Sequence, residues 1–330
     1  LEALGRSLET PLLRAAAGRS LAKKSIILSC SESGDTLRHG LTQKHLDAAL
    51  LEISRQLLVR GAILEYGGHL GADGYTTALF ELARSHNATS GMTPAERIVN
   101  DVGWPLPLET IPDSVRARNS YVARFRRIPR PDGVAHLEPE TFKEEPEFFP
   151  ANTPARRYAW ARGMTEMRCF QANKSGSTAR VVIGGRIGPT ISTAADGTTA
   201  EKWYMGRIPG VVEEVLLSLR AGQPVYLVGA FGGAAEAVID MLEGRRRPDF
   251  EWEFHKRAPH SEAMRELYFQ ERVAWEDYPE MSTFLRTFGV SGLANLNKLS
   301  IEENHQLFAS RDLSLILELI LKSLANMNLR

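Results

Sequence analysis

A strand–glycine–helix unit occurs three times in this chain and constrains its fold more than any other feature. Ser25–Cys30 (SIILSC) runs into Ser31-Glu32-Ser33-Gly34-Asp35. Ala62–Tyr66 (AILEY) runs into a glycine-rich turn holding Gly67, Gly68, His69 and Gly71. Pro224–Val228 (PVYLV) runs into Gly229-Ala230-Phe231-Gly232-Gly233. Each is a short apolar run, a small polar or glycine turn, then a helical pattern. Strands alternating with helices pair in parallel through right-handed crossovers. The expected fold class is therefore α/β, a Rossmann-like parallel sheet with helices on both faces. In such sheets the turns gather at the carboxyl edge, where ligands bind. Glycine lets backbone approach a ligand, and a helix N-terminus offers free N–H groups to an anion. The chain reads first as a nucleotide or phosphate binder.

Composition narrows the partners. Forty basic and forty acidic residues give zero formal net charge. General nucleic-acid binding needs a net basic face, so no nucleic-acid partner is expected. No apolar run is long enough to span a bilayer, and no membrane partner is expected. Cys30 and Cys169 cannot build a disulfide framework, and the reducing cytoplasm is the expected compartment. Cys30, at a strand end, reads as a small core residue. The first residue is Leu1, and a preceding effector domain is expected, with Leu1–Lys24 as a linker helix.

Three segments follow from the patterning. Residues 25–250 form the nucleotide-binding domain, with an insertion at about 85–165 rich in Pro, Arg and acidic residues. Within that insertion Tyr121–Ile128 alternates like a strand, and Ile98–Pro105 reads as a turn. Residues 251–330 form a helical extension. Leu41–Arg60 is an amphipathic helix closed by Gly61, and Ser300 with Glu303 has the spacing of a capping box.

Candidate ligand contacts cluster behind the strands. Ser29, Ser31, Glu32 and Ser33 follow the first strand, where hydroxyls and N–H groups suit a phosphate or ribose; ordinary N-capping is the competing reading, and the two are compatible. Gly185 and Arg186 follow the buried run Ala179–Gly184, so the Arg186 fork lies at the ligand edge; a structural ion pair is the competing reading. Lys202 and Arg207 flank the next helix start and, with Arg186, would make a positive pocket. Glu213 and Glu214 follow Gly210 in a first helical turn, where the helix dipole favours acids. His69, Phe231 and Gly232 complete the set. Gly229-Ala-Phe-Gly-Gly is not GxGxxG, which disfavours a standard dinucleotide oxidoreductase.

Two stretches resemble the SLOG superfamily, the Rossmann-like domains related to the LOG phosphoribohydrolases and to Smf/DprA. RQLLVRGAILEYGGHLGADGYTTALFELA is similar to the LOG helix, strand and GGG-x-x-GLM turn. ARVVIGGRIG with GRIPGVVEEVLLSLRAGQPVYLVGAFGG is similar to its strand, PGGxGTxEE helix start and following strand. Of that helix start only Gly210, Glu213 and Glu214 match, and Val211 replaces the threonine. The resemblance leans toward sensor domains attached to TIR or sirtuin-type NAD-degrading domains in prokaryotic antiviral defence. It implies a non-covalent nucleotide ligand of the ADP-ribose type, cyclic forms included, an upstream effector domain, and a homo-oligomer. The alternative it implies is a phosphoribohydrolase cleaving an N-glycosidic bond, with Glu213 and Glu214 catalytic. A structural or oligomerising module with a vestigial pocket is a weaker third.

Overall fold

The computed structural model describes residues 21–67, 75–90, 96–106, 113–193 and 197–327. Gly68, His69 and Gly71, and residues 1–20 of the expected linker helix, lie outside them. The elements in chain order are β1 (Ser25–Ser31), α1 (Gln43–Val59), β2 (Ile63–Gly67), α2 (Tyr75–Ser90), β3 (Ile98–Gly103), α3 (Asp113–Asn119), β4 (Ala123–Ile128) and α4 (Pro154–Asn173). Then come β5 (Ala179–Gly184), β6 (Thr190–Thr193), β7 (Thr199–Lys202), α5 (Gly210–Arg220), β8 (Val225–Val228) and α6 (Gly233–Leu242). α7 (Trp252–His255), α8 (Ser261–Gln270), α9 (Tyr278–Asn297), α10 (Ile301–Ala309) and α11 (Leu313–Asn326) close the chain.

Six strands form one parallel sheet in the order β4-β3-β2-β1-β5-β8. Chain progress runs outward from β1 in one direction to β4 and in the other to β8. The order therefore reverses between β1 and β5, the topological switch point. Helices cover both faces, as the expected α/β class requires. β6 and β7 form a separate antiparallel hairpin between β5 and α5.

The stretch expected as an insertion supplies β3 and β4 to the sheet. Ile98–Gly103, read from sequence as a turn, is a strand buried along its whole length. Asn100 and Asp101 misled that reading, because polar residues inside a short run look like turn formers. Among the described residues its longest part without helix or strand is 129–153. It is held by aromatic packing among Trp104, Phe142, Phe149, Tyr158 and Trp160, joined by Met264 and Tyr268 of α8. The C-terminal helices also complete the core. Leu307, Ile316, Ile320 and Leu324 share a buried cluster with Ile26, Leu28 and Leu64, and the Tyr226 and Ser323 hydroxyls hydrogen-bond at 2.7 Å. The capping box forms: Glu303 N–H donates to Ser300 Oγ at 3.0 Å, and Ser300 N–H to Glu303 Oε2 at 2.8 Å. Among the described residues no helix is long and apolar enough to cross a membrane.

Candidate functional site at the strand switch point

Alternation along β1 sets the site. Ile26, Leu28 and Cys30 point into one core, while Ser29 and Ser31 point to the opposite face and edge. Cys30 is indeed a core residue, and burial pushes its thiol up to about 12. β1 and β5 stay paired to their last residues, Ser31 opposite Gly184. Gly184 and Gly185 then take φ of +62° and +99°, a left-handed path that glycine follows without strain. That path brings Arg186 N–H to Ser31 Oγ at 2.9 Å and Gly185 N–H to the Ser31 carbonyl at 3.1 Å. The Arg186 side chain pairs with Glu32 at 3.1 Å, and Glu32 is 60% exposed. Ser31, Glu32, Gly185 and Arg186 are thus one cluster, with Ser33 beside Gly233 at the neighbouring turn.

The turn after β8 closes on the same cluster. Ala234 N–H donates to the Gly185 carbonyl at 2.8 Å, and Gly233 N–H to Asp35 Oδ2 at 3.3 Å. The Asp35 carboxylate therefore occupies the N-terminus of α6. Gly232 lies against Asp35 and His39. Phe231 is buried in the core and presents no stacking face.

Beneath this cluster lies a layer of buried charge. Glu213 is fully enclosed and accepts from Thr165 Oγ1 at 2.7 Å, Arg168 Nη1 at 2.5 Å and Arg207 Nε at 2.6 Å. Burial pushes its carboxyl up, but Arg207, Arg168 and Thr165 more than offset this and hold it below the usual range. Glu214 Oε2 accepts from Ser29 Oγ at 2.5 Å and Arg180 Nη1 at 3.0 Å, and Arg168 Nε stands 3.5 Å from Oε1. Glu214 keeps 13% of its side chain exposed, Glu213 only 1%. Of the two acids singled out in the sequence, Glu214 is the more exposed. Gly210 gives room for Arg168: a methyl there would meet its Nη2 at 2.6 Å.

The remaining candidates fall elsewhere. Gly67 is fixed by packing, since a methyl would meet Met167 Cε of α4 at 2.8 Å. Lys202 is exposed on β7. Arg207 is committed to Glu213 and approaches Glu276 at 3.8 Å, so it shares no partner with Arg186. The expected three-cation pocket does not assemble. Two arginines carry what it lacked. Arg180, inside β5, is fully buried and also donates to Ser218 Oγ at 2.8 Å. Arg168 bridges the glutamate pair from α4. The sequence signal for α4 was Trp160, Met164, Met167 and Gln171 at helical spacing, with Arg168 beside them. The signal for Arg180 was a lone charge inside an apolar strand, which needs a partner when buried.

A parallel sheet with serine and glycine turns meeting at its switch point defines a Rossmann-like domain of the nucleotide-related kind. A family model described as SLOG cluster2 matches residues 20–307, and the chain belongs to that family. No curated protein matches the chain.

Proposed function

We propose that this SLOG domain senses a nucleotide signal of the ADP-ribose type, cyclic forms included, and that occupancy of the β1–β5 crevice controls an attached NAD-degrading effector. The observation that carries the reading is the Arg186–Glu32 pair. An exposed ion pair of this kind is worth about 0–1 kcal/mol, whereas a charge-assisted bond from arginine to phosphate is worth about 1.5–3 kcal/mol. A ligand phosphate therefore displaces Glu32 into water at little cost and inherits Arg186, with the Gly184–Gly185 backbone and the Ser31 hydroxyl beside it. The resemblance to sensor domains joined to TIR or sirtuin-type effectors supports the regulatory half. Control requires that ligand prefer one arrangement of subunits, so a homo-oligomer whose assembly responds to ligand is part of the reading.

A phosphoribohydrolase reading is favoured by one observation, the partly exposed Glu214 carboxylate at the crevice. Against it, Glu213 and Glu214 are both paired with arginines, which leaves neither of them a free general acid. Incubation with ADP-ribose, its cyclic isomers and AMP, followed by equilibrium dialysis and chromatography, separates the two. The sensor reading expects retention of an intact nucleotide. Release of free base, abolished in Glu214→Gln, makes the chain a hydrolase instead.

A further inference from the structure

Glu65 of β2 and Asp101 of β3 are carboxylates buried in the middle of the sheet, 1% and 0% exposed. One guanidinium serves both: Arg126 of β4 reaches Glu65 Oε1 at 2.8 Å, Asp101 Oδ1 at 2.6 Å and Asp101 Oδ2 at 3.0 Å. Both carboxylates thus stand on one guanidinium, with no second cation bonded to either among the described residues. Ser25 Oγ of β1 and Ser177 Oγ, in the turn after α4, donate to Glu65 Oε2 at 3.2 and 2.6 Å. Gln171 of α4 donates to Asp101 Oδ2 at 2.8 Å. The positive charge of Arg180 on β5 also faces this group.

We infer that Glu65, buried beside Asp101 on a shared guanidinium, takes up and releases a proton near neutral pH and acts as a switch in the seating of α4 on the sheet. Two like charges that share one guanidinium inside a dry layer do not both ionise readily. Arg126 serves both, while Arg180 is itself engaged by Glu214. Burial, then the Asp101 charge, raises the Glu65 carboxyl to about 7, and Ser177 and Arg126 only partly oppose this. When the proton leaves Glu65, a second buried negative charge appears beside Asp101 and repels it. The groups that feel it first are Gln171 and Ser177, which tie α4 and its exit turn to the pair.

The same helix carries the site. Thr165, Arg168 and Gln171 lie three residues apart on one face of α4. Thr165 and Arg168 hold Glu213, Arg168 approaches Glu214, and Gln171 holds Asp101. Between them Met164 and Met167 sit in cradles at Gly103 and Gly67, where a methyl would meet their Cε atoms at 2.9 and 2.8 Å. A change in the seating of α4 therefore moves these two methyl groups.

The test is carbon-13 methyl-methionine NMR of the full chain from about pH 5 to about pH 9, with Met164 and Met167 assigned by Met→Leu variants. The expected result is that both methyl shifts follow one titration curve with its midpoint near neutrality. The curve is flat in Glu65→Gln. In Asp101→Asn it moves acidward by about one unit, a tenfold loss in proton affinity. If Glu65→Gln fails to fold, the wild-type infrared spectrum decides: a protonated carboxyl band persists where surface carboxylates are ionised and vanishes through neutral pH. Flat methyl shifts in the wild type, a titration that survives in Glu65→Gln, or absence of that band overturns the inference.

Discussion

The two faces of one sheet differ sharply. On the α1 and α11 side the strands present Ile26, Leu28, Leu64, Ile98, Val181 and Ile183, all buried and apolar. On the α4 side the same strands present Ser29, Glu65, Asp101, Arg126 and Arg180, deeply buried apart from Arg126. Parallel sheets are covered on both faces and ordinarily read as continuous apolar runs. The apolar face is explained by burial, at about 1.5–3 kcal/mol for each large side chain. The charged face is not, because buried ion pairs rarely stabilise more than apolar residues of the same size. Its members connect instead to the crevice: Arg180 and Ser29 hold Glu214, and Arg168 stands between Glu214 and Glu213. The α1 side is apolar at these positions, while the α4 side carries the charges next to the candidate site and the α5 side has an apolar core of its own.

That contrast is broken most severely by removing one partner from the charged face. Arg180→Ala leaves Glu214 without its buried cation and is expected to cost about 3–5 kcal/mol in urea unfolding. Adding Glu214→Gln should recover part of this, with a coupling of about 0.5–3 kcal/mol. Strict additivity would mean that the pair does not act as a unit. On the apolar face Ile183→Ala should cost about 2–5 kcal/mol through cavity formation. Its cost should be the same at every pH at which the chain folds, whereas the charged face should respond to pH.

The sign of that response follows from Glu65, whose carboxyl is raised from 4.5 to about 7 in the folded chain. A raised acid binds its proton more tightly when folded. The stabilisation is complete below the unfolded value of 4.5 and is lost as pH rises through about 7. Unfolding free energy should fall by up to about 3 kcal/mol across that window and level off above it. Glu65→Gln should remove this part of the slope, and an unchanged slope would place the dependence elsewhere.

The difference between the faces also governs what the sequence made legible. The apolar runs of β1, β2, β5 and β8, and the glycine turns behind them, were readable because burial and period write directly into residue type. β3 was not, because Asn100 and Asp101 put polar side chains inside a buried strand. Arg168 and Arg180 escaped for the same reason, since a buried charge reveals its role only through partners distant in sequence. Lys202 and Arg207 were grouped with Arg186 by nearness in sequence. The β6–β7 hairpin lies between them, and Arg207 turns to Glu213. Gly67 was weighed as a ligand contact, and its missing side chain instead makes room for Met167.

The smallest expected change in stability belongs to the rim of the crevice. Arg186→Ala removes a partly exposed pair and should alter unfolding by no more than about 0.5 kcal/mol. It should still weaken nucleotide binding by about 1.5–3 kcal/mol. The most direct test of the account is therefore isothermal calorimetry of the wild-type chain and Arg186→Ala with ADP-ribose and its cyclic isomers. The account predicts saturable binding of at least one of these to the wild type, about ten- to a hundredfold weaker in Arg186→Ala. Absence of binding to the wild type at about millimolar concentration, or full affinity in the variant, would contradict it.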